Sequence, residues 1–426
     1  MFFKSKFFRG GVHPREREIT SNKKIEKMPE VGTYRISTLQ HIGDPAVVIV
    51  KVGDRVKKYQ KIAKAEVKIS ASIHSPCSGK ITQINNIDIK GRQAEEIVIE
   101  NDFLGEEFKR KKLKFFTPNK LRELIDELGI VGLGGATFPT HIKLDGKLKT
   151  IIINGAECEP YLNADNRIMI EKTNEILEGI KILMTIFEIE ESIIGIEENK
   201  EKAIEKIEKC IKDYPGIRLQ KLPTVYPQGG EKQLIKALLR KEIKSLPMEI
   251  EAVTLNVGTI LAIYRGVTYG TPIVKRVVTV SGEGIKNPKN LSIHIGTPIE
   301  DILNYVGLKE DIVDKIIACG PMMGYEIGKI GSTSKGMNGI LALEKEKFPI
   351  KLPCIKCGRC VDVCPMGLIP LEYDRLAKKG KYRQMEKEFS LSSCIKCGSC
   401  EYICPSQVPL MEAIFLGLEK GRDGHD

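Results

Sequence analysis

The chain has no tryptophan, only six histidines and 6% aromatic residues. Its formal net charge of +11 invites a nucleic-acid reading. No basic stretch is interleaved with aromatics, so that reading rests on charge alone. Lysine is spread along the whole chain, as on a solvated surface. A basic face also suits an acidic electron carrier or an anionic membrane surface. No apolar run approaches the length of a membrane span, so ion pumping is not expected within this chain. Met1 to Arg9 is basic and Phe-rich but lacks an apolar core and a cleavage site, so it does not read as a signal peptide. It reads instead as a frayed terminus or a small docking arm. The G-x-G-x-x-G dinucleotide fingerprint is also missing.

What remains is a chain of 426 residues with 42% hydrophobic and 29% charged residues, enough for about two to four packed domains. Its twelve cysteines are unevenly placed. Eight fall in two copies of one pattern, C-x2-C-x2-C-x3-C-P. The first runs from Cys354 through Cys357, Cys360 and Cys364 to Pro365. The second runs from Cys394 through Cys397, Cys400 and Cys404 to Pro405. This is the ligand run of two-cluster ferredoxins, in which the fourth cysteine of each copy serves the other cluster. Cys354, Cys357, Cys360 and Cys404 are therefore assigned to one 4Fe-4S cluster, and Cys394, Cys397, Cys400 and Cys364 to the second. Zinc sites take separated cysteine pairs, and disulfides do not suit a chain without a secretory signal. Two clusters with crossed ligands form a short electron wire, so the rest of the chain should supply a donor, an acceptor or a dock.

From Ile36 to Val98 short β-runs alternate with turns, as in the barrel-sandwich fold of biotinyl and lipoyl carriers. Lys68 lies near the place of the modified lysine in those carriers. Its neighbours, Ala65 to Ile69, lack the flanking methionines, so a docking module is preferred to a swinging arm. Lys109 to Lys114 reads as a basic linker. A helix is expected over Asn119 to Leu128. It precedes a glycine-dense stretch, Gly129 to Lys143, that can bring backbone N–H groups up to a phosphate. Strands and helices then alternate: a strand at Thr150–Ile153 running into Asn154-Gly-Ala-Glu157-Cys-Glu159-Pro160, one long helix from about Arg167 to Phe187, and a strand ending at Asn256. Polar residues at strand ends mark the ligand crevice of an open α/β sheet. A strand–helix–strand unit from Val274 to Cys319 looks like a β-grasp module. Leu371 to Phe389, between the cysteine repeats, reads as helical.

Gly-Leu-Gly-Gly-Ala-Thr-Phe-Pro-Thr, Asn-Gly-Ala-Glu-Cys-Glu-Pro, Tyr-Pro-Gln-Gly-Gly-Glu and Asn-Val-Gly-Thr occur in that order. They resemble the flavin- and NADH-binding subunit of respiratory complex I. With the barrel-sandwich module before them and the twin-cluster module after them, the chain is identified as a member of the family of C subunits of Rnf ion-translocating electron-transport complexes. The resemblance implies a multidomain α/β and β fold. It has a barrel-sandwich hybrid (residues 1–100), a Rossmann-like α/β FMN/NADH domain (117–268), a β-grasp module (269–325) and a helical two-cluster ferredoxin-like domain (350–415). It implies a peripheral subunit, at the cytoplasmic face of the membrane, of a ferredoxin:NAD⁺ oxidoreductase. FMN and two 4Fe-4S clusters are the cofactors and NAD(H) is the substrate. Membrane-embedded and iron–sulfur subunits are the partners, ferredoxin is an indirect one, and no nucleic acid is expected.

Carried over by motif, Gly132, Gly134 and Gly135 would line the FMN phosphate and ribityl chain, and Phe138 would stack near the nicotinamide. Lys143 would balance negative charge at the flavin. Asn154, Glu157 and Glu159 would complete the pocket, with Asn256 and Thr259 opposite. Glu231 would contact nucleotide. Complex I has a glutamate where this chain has Gly230. No catalytic acid or base is required, so His41, His74 and His141 are read as structural. The alternatives weighed are a cobalamin reductase of similar modules, disfavoured by the N-terminal place of the barrel-sandwich, and a non-catalytic cluster relay or scaffold.

Overall fold

The computed structural model describes residues 7–89, 91–110, 116–243, 247–345 and 351–421. Met1 to Lys6 of the proposed arm and most of the basic linker, residues 111–115, lie outside the described residues.

The first module packs two small sheets face to face. One orders Thr33–Ser37, Arg92–Asn101, Gly79–Ile89 and Arg55–Val56. The other orders Val47–Val48, Lys61–Lys64 and Ile73–His74. Alternating side chains turn Tyr34, Ile36, Ile62, Ile81, Ile97 and Ile99 inward, each fully buried. The strand expected over Ala46–Val52 pairs regularly only at Val47–Val48, opposite Lys64 and Ala63, and Ile49 N adds one more bond to Ile62 O at 3.0 Å.

The second module is a parallel sheet in the order Ile217–Leu222, Glu191–Glu197, Thr150–Gly155, Ala252–Asn256. The strands are Ile/Val-rich because helices cover the faces. The helix Thr173–Phe187 packs on Val257–Tyr269. The long helix expected from Arg167 is two helices, Ala164–Glu171 and Thr173–Phe187. The Thr173 hydroxyl donates to Met169 O at 2.6 Å, competing for a carbonyl of the last turn, and Lys172 leaves helical geometry.

The third module is a six-stranded sheet in the order Ile25–Lys27, Lys289–His294, Lys275–Ser281, Gly339–Glu344, Val313–Ala318, Tyr325–Glu326, with the helix Ile299–Val306 packed into its core. Its first strand comes from the N-terminal segment and pairs parallel with Lys289–His294. Upstream, Val12 bridges Tyr226, and Gly11 N donates to Val363 O at 2.9 Å. Residues 11–27 thus touch the fourth, second and third modules in turn. The fourth module packs the helices Pro370–Ala377, Tyr382–Phe389 and Leu410–Lys420 around the cysteines. The helix expected over Leu371–Phe389 is interrupted at Gly380, which sits at φ +68° in the left-handed region.

Candidate flavin and iron–sulfur sites

Chain order makes the second module's crevice. From Thr150–Gly155 the sheet grows outward to residues 191–197 and 217–222, and then returns to add residues 252–256 on the opposite side. The strand order therefore reverses between Thr150–Gly155 and Ala252–Asn256, and an open parallel sheet binds ligands at such a point. Asn154 and Asn256 are register partners there, at the C-terminal ends of the two strands.

Both amides are engaged. Asn256 caps the helix Val257–Tyr269: its Oδ1 accepts from Gly258 N at 2.8 Å and its Nδ2 donates to Asp165 Oδ2 at 2.6 Å. Asn154 Nδ2 donates to Gly229 O at 2.8 Å, and its Oδ1 accepts from Ala156 N at 3.2 Å.

The glycine-dense loop lies against this edge. A Cβ on Gly134 would come within 3.5 Å of Asn256 Cβ. Gly135 is at φ +106°, with open space where a side chain would stand. Gly134, Gly135 and Ala136 are exposed. Gly132 N donates to Phe138 O at 2.9 Å, closing the loop on the half-buried Phe138. Thr259 Oγ1 accepts from Leu133 N at 2.9 Å. Lys143 Nζ donates to Glu231 Oε1 at 2.6 Å and to Thr254 O at 3.3 Å, so it ties the loop's far end to the helix Glu231–Leu239 and to the sheet. A Cβ on Gly230 would lie 2.6 Å from Gln233 Oε1, so the glutamate of complex I would displace Gln233.

Two acidic residues face elsewhere. Glu157 accepts from Asp165 N and Asn166 N, both at 2.8 Å, at the start of the helix Ala164–Glu171. Burial, and then the neighbouring Asp165 charge, raise its carboxyl well above the usual range. Glu159 accepts from Met322 N and Met323 N, both at 2.9 Å, in the third module. With Glu197, Lys200, Tyr226 and residues of the N-terminal segment, both line a cavity of about 140 Å³.

The eight motif cysteines form two sets. Cys354, Cys357, Cys360 and Cys404 line one cavity with Leu371, Val408 and Leu410. Cys364, Cys394, Cys397 and Cys400 line another with Leu368, Tyr373 and Ile414. The fourth cysteine of each repeat has crossed to the other set, as the spacing implies. The copies share backbone geometry: Gly358 and Gly398 sit at φ +80° and +78°, Lys356 and Lys396 at +55° and +59°. Lys356 N and Lys396 N each donate to the preceding repeat cysteine, Cys354 or Cys394, at 3.4 Å. Among the described residues no three His, Cys, Asp or Glu side chains gather closely enough for a single metal ion. Four thiols around an apolar cavity fit a multi-iron cluster better than zinc.

The two sets differ in surroundings. Cys354 and Cys357 are exposed. Cys397 and Cys400 are buried, and Cys397 packs with Val12 and Tyr226. Tyr226 Oη donates to Cys397 O at 2.7 Å. Tyr226 belongs to the Tyr-Pro-Gln-Gly-Gly-Glu motif, so one motif contacts both the strand-end Asn154, through Gly229 O, and the buried cysteine set, through Tyr226.

Sequence reasoning gave no role to Tyr226, Arg276 and Lys335. Tyr226 stood inside a recognisable motif, and Asp165 inside the polar cluster after the Thr150–Ile153 strand; Arg276 and Lys335 carried no local signal.

The C subunit of the proton-translocating ferredoxin:NAD(+) oxidoreductase complex of Clostridium ljungdahlii is 42% identical over 404 residues, 91% of this chain and 88% of the relative. The chain belongs to this family of C subunits. The C subunit of the Na(+)-translocating complex of Acetobacterium woodii is 37% identical and covers 89% of both chains. The C subunit of the Rhodobacter capsulatus ion-translocating oxidoreductase complex is 39% identical over 85% of this chain and 73% of its own. Family models match module by module: the RnfC barrel sandwich hybrid domain at 6–104, the Nuo51 FMN-binding domain at 125–265, the SLBB domain at 277–326 and a 4Fe-4S dicluster domain at 353–408. Among solved structures, a chain of the air-oxidised NAD+-reducing [NiFe]-hydrogenase shares the fold, at TM-score 0.50 and 15% identity, over 70% of this chain and 63% of that one. Among the described residues of this family member no helix is long and apolar enough to cross a membrane.

Proposed function

We propose that the chain is the peripheral subunit of a membrane-bound ferredoxin:NAD⁺ oxidoreductase that exchanges hydride between NAD(H) and FMN and relays single electrons through two 4Fe-4S clusters. Ion translocation belongs to membrane-embedded partner subunits, and ferredoxin is met through an iron–sulfur partner. The cytoplasmic face of the membrane is the site of action.

The observation that carries this reading is the hydrogen bond from Tyr226 to the Cys397 carbonyl, since the same Tyr226–Glu231 motif meets the strand-end Asn154 through Gly229 O. When bound, flavin supplies the exchange between two-electron and one-electron chemistry. The chain's own residues hold and orient. Gly132, Gly134 and Gly135 form the cradle for the phosphate and ribityl chain. Asn154 and Asn256 fix the two strand ends that flank it. Lys143 would balance negative charge at a bound flavin by giving up part of its pairing with Glu231. Phe138 offers an apolar face to the nicotinamide. Glu157 and Glu159 act through structure, the first as a helix cap and the second as a tie to the third module. Cys397 and its set lie inward, and the exposed Cys354 and Cys357 turn the other set toward a partner.

The test is anaerobic rapid mixing of the reconstituted protein with NADH while flavin and cluster absorbance are followed together. Flavin bleaching followed by cluster reduction is expected. Cluster reduction by reduced ferredoxin without any response to NADH would make the chain a relay with no nicotinamide site.

A further inference from the structure

The glycine-dense loop is gripped from behind by two buried basic side chains of the segment that follows the second module. Arg276 lies in the strand Lys275–Ser281 and is 6% exposed. One of its Nη groups donates to Leu133 O and the other to Lys335 O, the latter at 2.6 Å. Lys335 is 1% exposed, and its Nζ donates to Ser72 O and Gly129 O, both at 2.8 Å. Its backbone N donates to Gln40 Oε1 at 3.0 Å. The carbonyls at the root of the loop and in its middle are thus each taken by a buried basic side chain, and burial pushes the Lys335 ammonium down to about 7. Gly129 cannot be replaced there: at φ +61°, a Cβ would lie 2.0 Å from Ser72 O and 2.8 Å from Lys335 Nζ.

The grip has a directional consequence. In a trans peptide the C=O and the following N–H point opposite ways. A guanidinium on Leu133 O therefore turns Gly134 N–H away from Arg276, and Gly134 itself is exposed. Thr259 takes the Leu133 N–H, so both faces of that residue are fixed. Burial disfavours the Arg276 cation, and the charge of Asp165 opposes that effect. A positive charge behind a peptide also polarises its N–H, which suits an anionic phosphate in front of it.

We propose that Arg276 is a positioning residue for the flavin phosphate. It holds the Leu133–Gly134 peptide so that the Gly134 N–H faces the crevice, and Lys335 anchors both the loop's root and the guanidinium. The third module then takes part in flavin binding without touching the flavin. The proposal rests on the reading of Gly132–Gly135 as the phosphate cradle.

The test is equilibrium binding of FMN and of riboflavin, which lacks the phosphate, to the full-length chain, followed by flavin fluorescence and paired with thermal unfolding. The wild type is expected to prefer FMN. Arg276→Met should weaken FMN by about tenfold and riboflavin by less than about twofold. Arg276→Lys, which keeps one buried cation but cannot span both carbonyls, should fall between. Unchanged FMN affinity, or equal losses for both flavins, would overturn the proposal. Should Arg276→Met not fold, Arg276→Lys decides by the same FMN-to-riboflavin ratio. A wild type that binds both flavins equally would instead sink the phosphate-cradle reading.

Discussion

Glu159 joins two modules through one carboxylate, and burial pushes that carboxyl up to about 7, against the lowering effect of the Met322 and Met323 N–H groups. The folded chain therefore holds a proton there that the unfolded chain has released between about pH 4.5 and 7. The stabilising contribution of the protonated form is fully present below that window and lost as pH rises through about 7. Glu159→Gln should flatten the pH dependence of the melting temperature between pH 5 and 7.5. The slope removed is at most about 1.4 kcal/mol per pH unit. Equal slopes in both proteins would show that Glu159 does not titrate there. Motif resemblance placed Glu159 in the flavin pocket, yet its hydrogen-bond partners lie 163 and 164 residues further along the chain. Arg276 and Lys335 were illegible for the same reason. They contact backbone carbonyls 143 and 206 residues away, and a carbonyl carries no residue identity.

Elements were legible where their chemistry is local. The cysteine repeats could be read outright, crossing included, because seven residues of turn geometry fix three thiols and the fourth must leave. The glycine-dense loop and the strand-end asparagines were legible as a crevice, since a strand's C-terminal edge is set by the chain's own alternation. Helix interruptions were not. Lys172 and Gly380 break helices whose apolar pattern runs on, one through a competing hydroxyl and one through a left-handed turn. Contact across elements sets the next prediction. Gly417, in the helix Leu410–Lys420, faces the helix Tyr382–Phe389, and a Cβ there would stand 2.4 Å from Met385 Sδ and 2.8 Å from Leu391. Gly417→Val should overpack that seam and cost about 1–3 kcal/mol. Anaerobic urea titration should then show cluster absorbance lost at lower denaturant than in the wild type. An unchanged midpoint would mean that the methionine simply moves aside.

At the scale of the molecule, the modules are fastened by the N-terminal segment. Gly10 sits at φ +75°, and a Cβ on it would meet Val363 O at 2.6 Å. Gly10→Val should therefore loosen the fourth module from the rest without unfolding either. Limited proteolysis should cut the substituted chain faster between the third and fourth modules than the wild type. Identical cleavage rates would mean that other contacts hold the module. Only part of this fastening was legible: residues 25–27 are too few to read as a strand, and Val12 meets Tyr226 through paired backbone groups that carry no residue identity. The same fastening imposes an order on biogenesis. Gly11 leaves the ribosome early, and its partner at Val363 follows some tens of seconds later at about 5–20 residues per second. Until then Val12 and Tyr226 lack the Cys397 surface that completes their cluster. The nascent chain therefore carries an unfinished apolar seam while the 171 residues after Tyr226, up to Cys397, are being added.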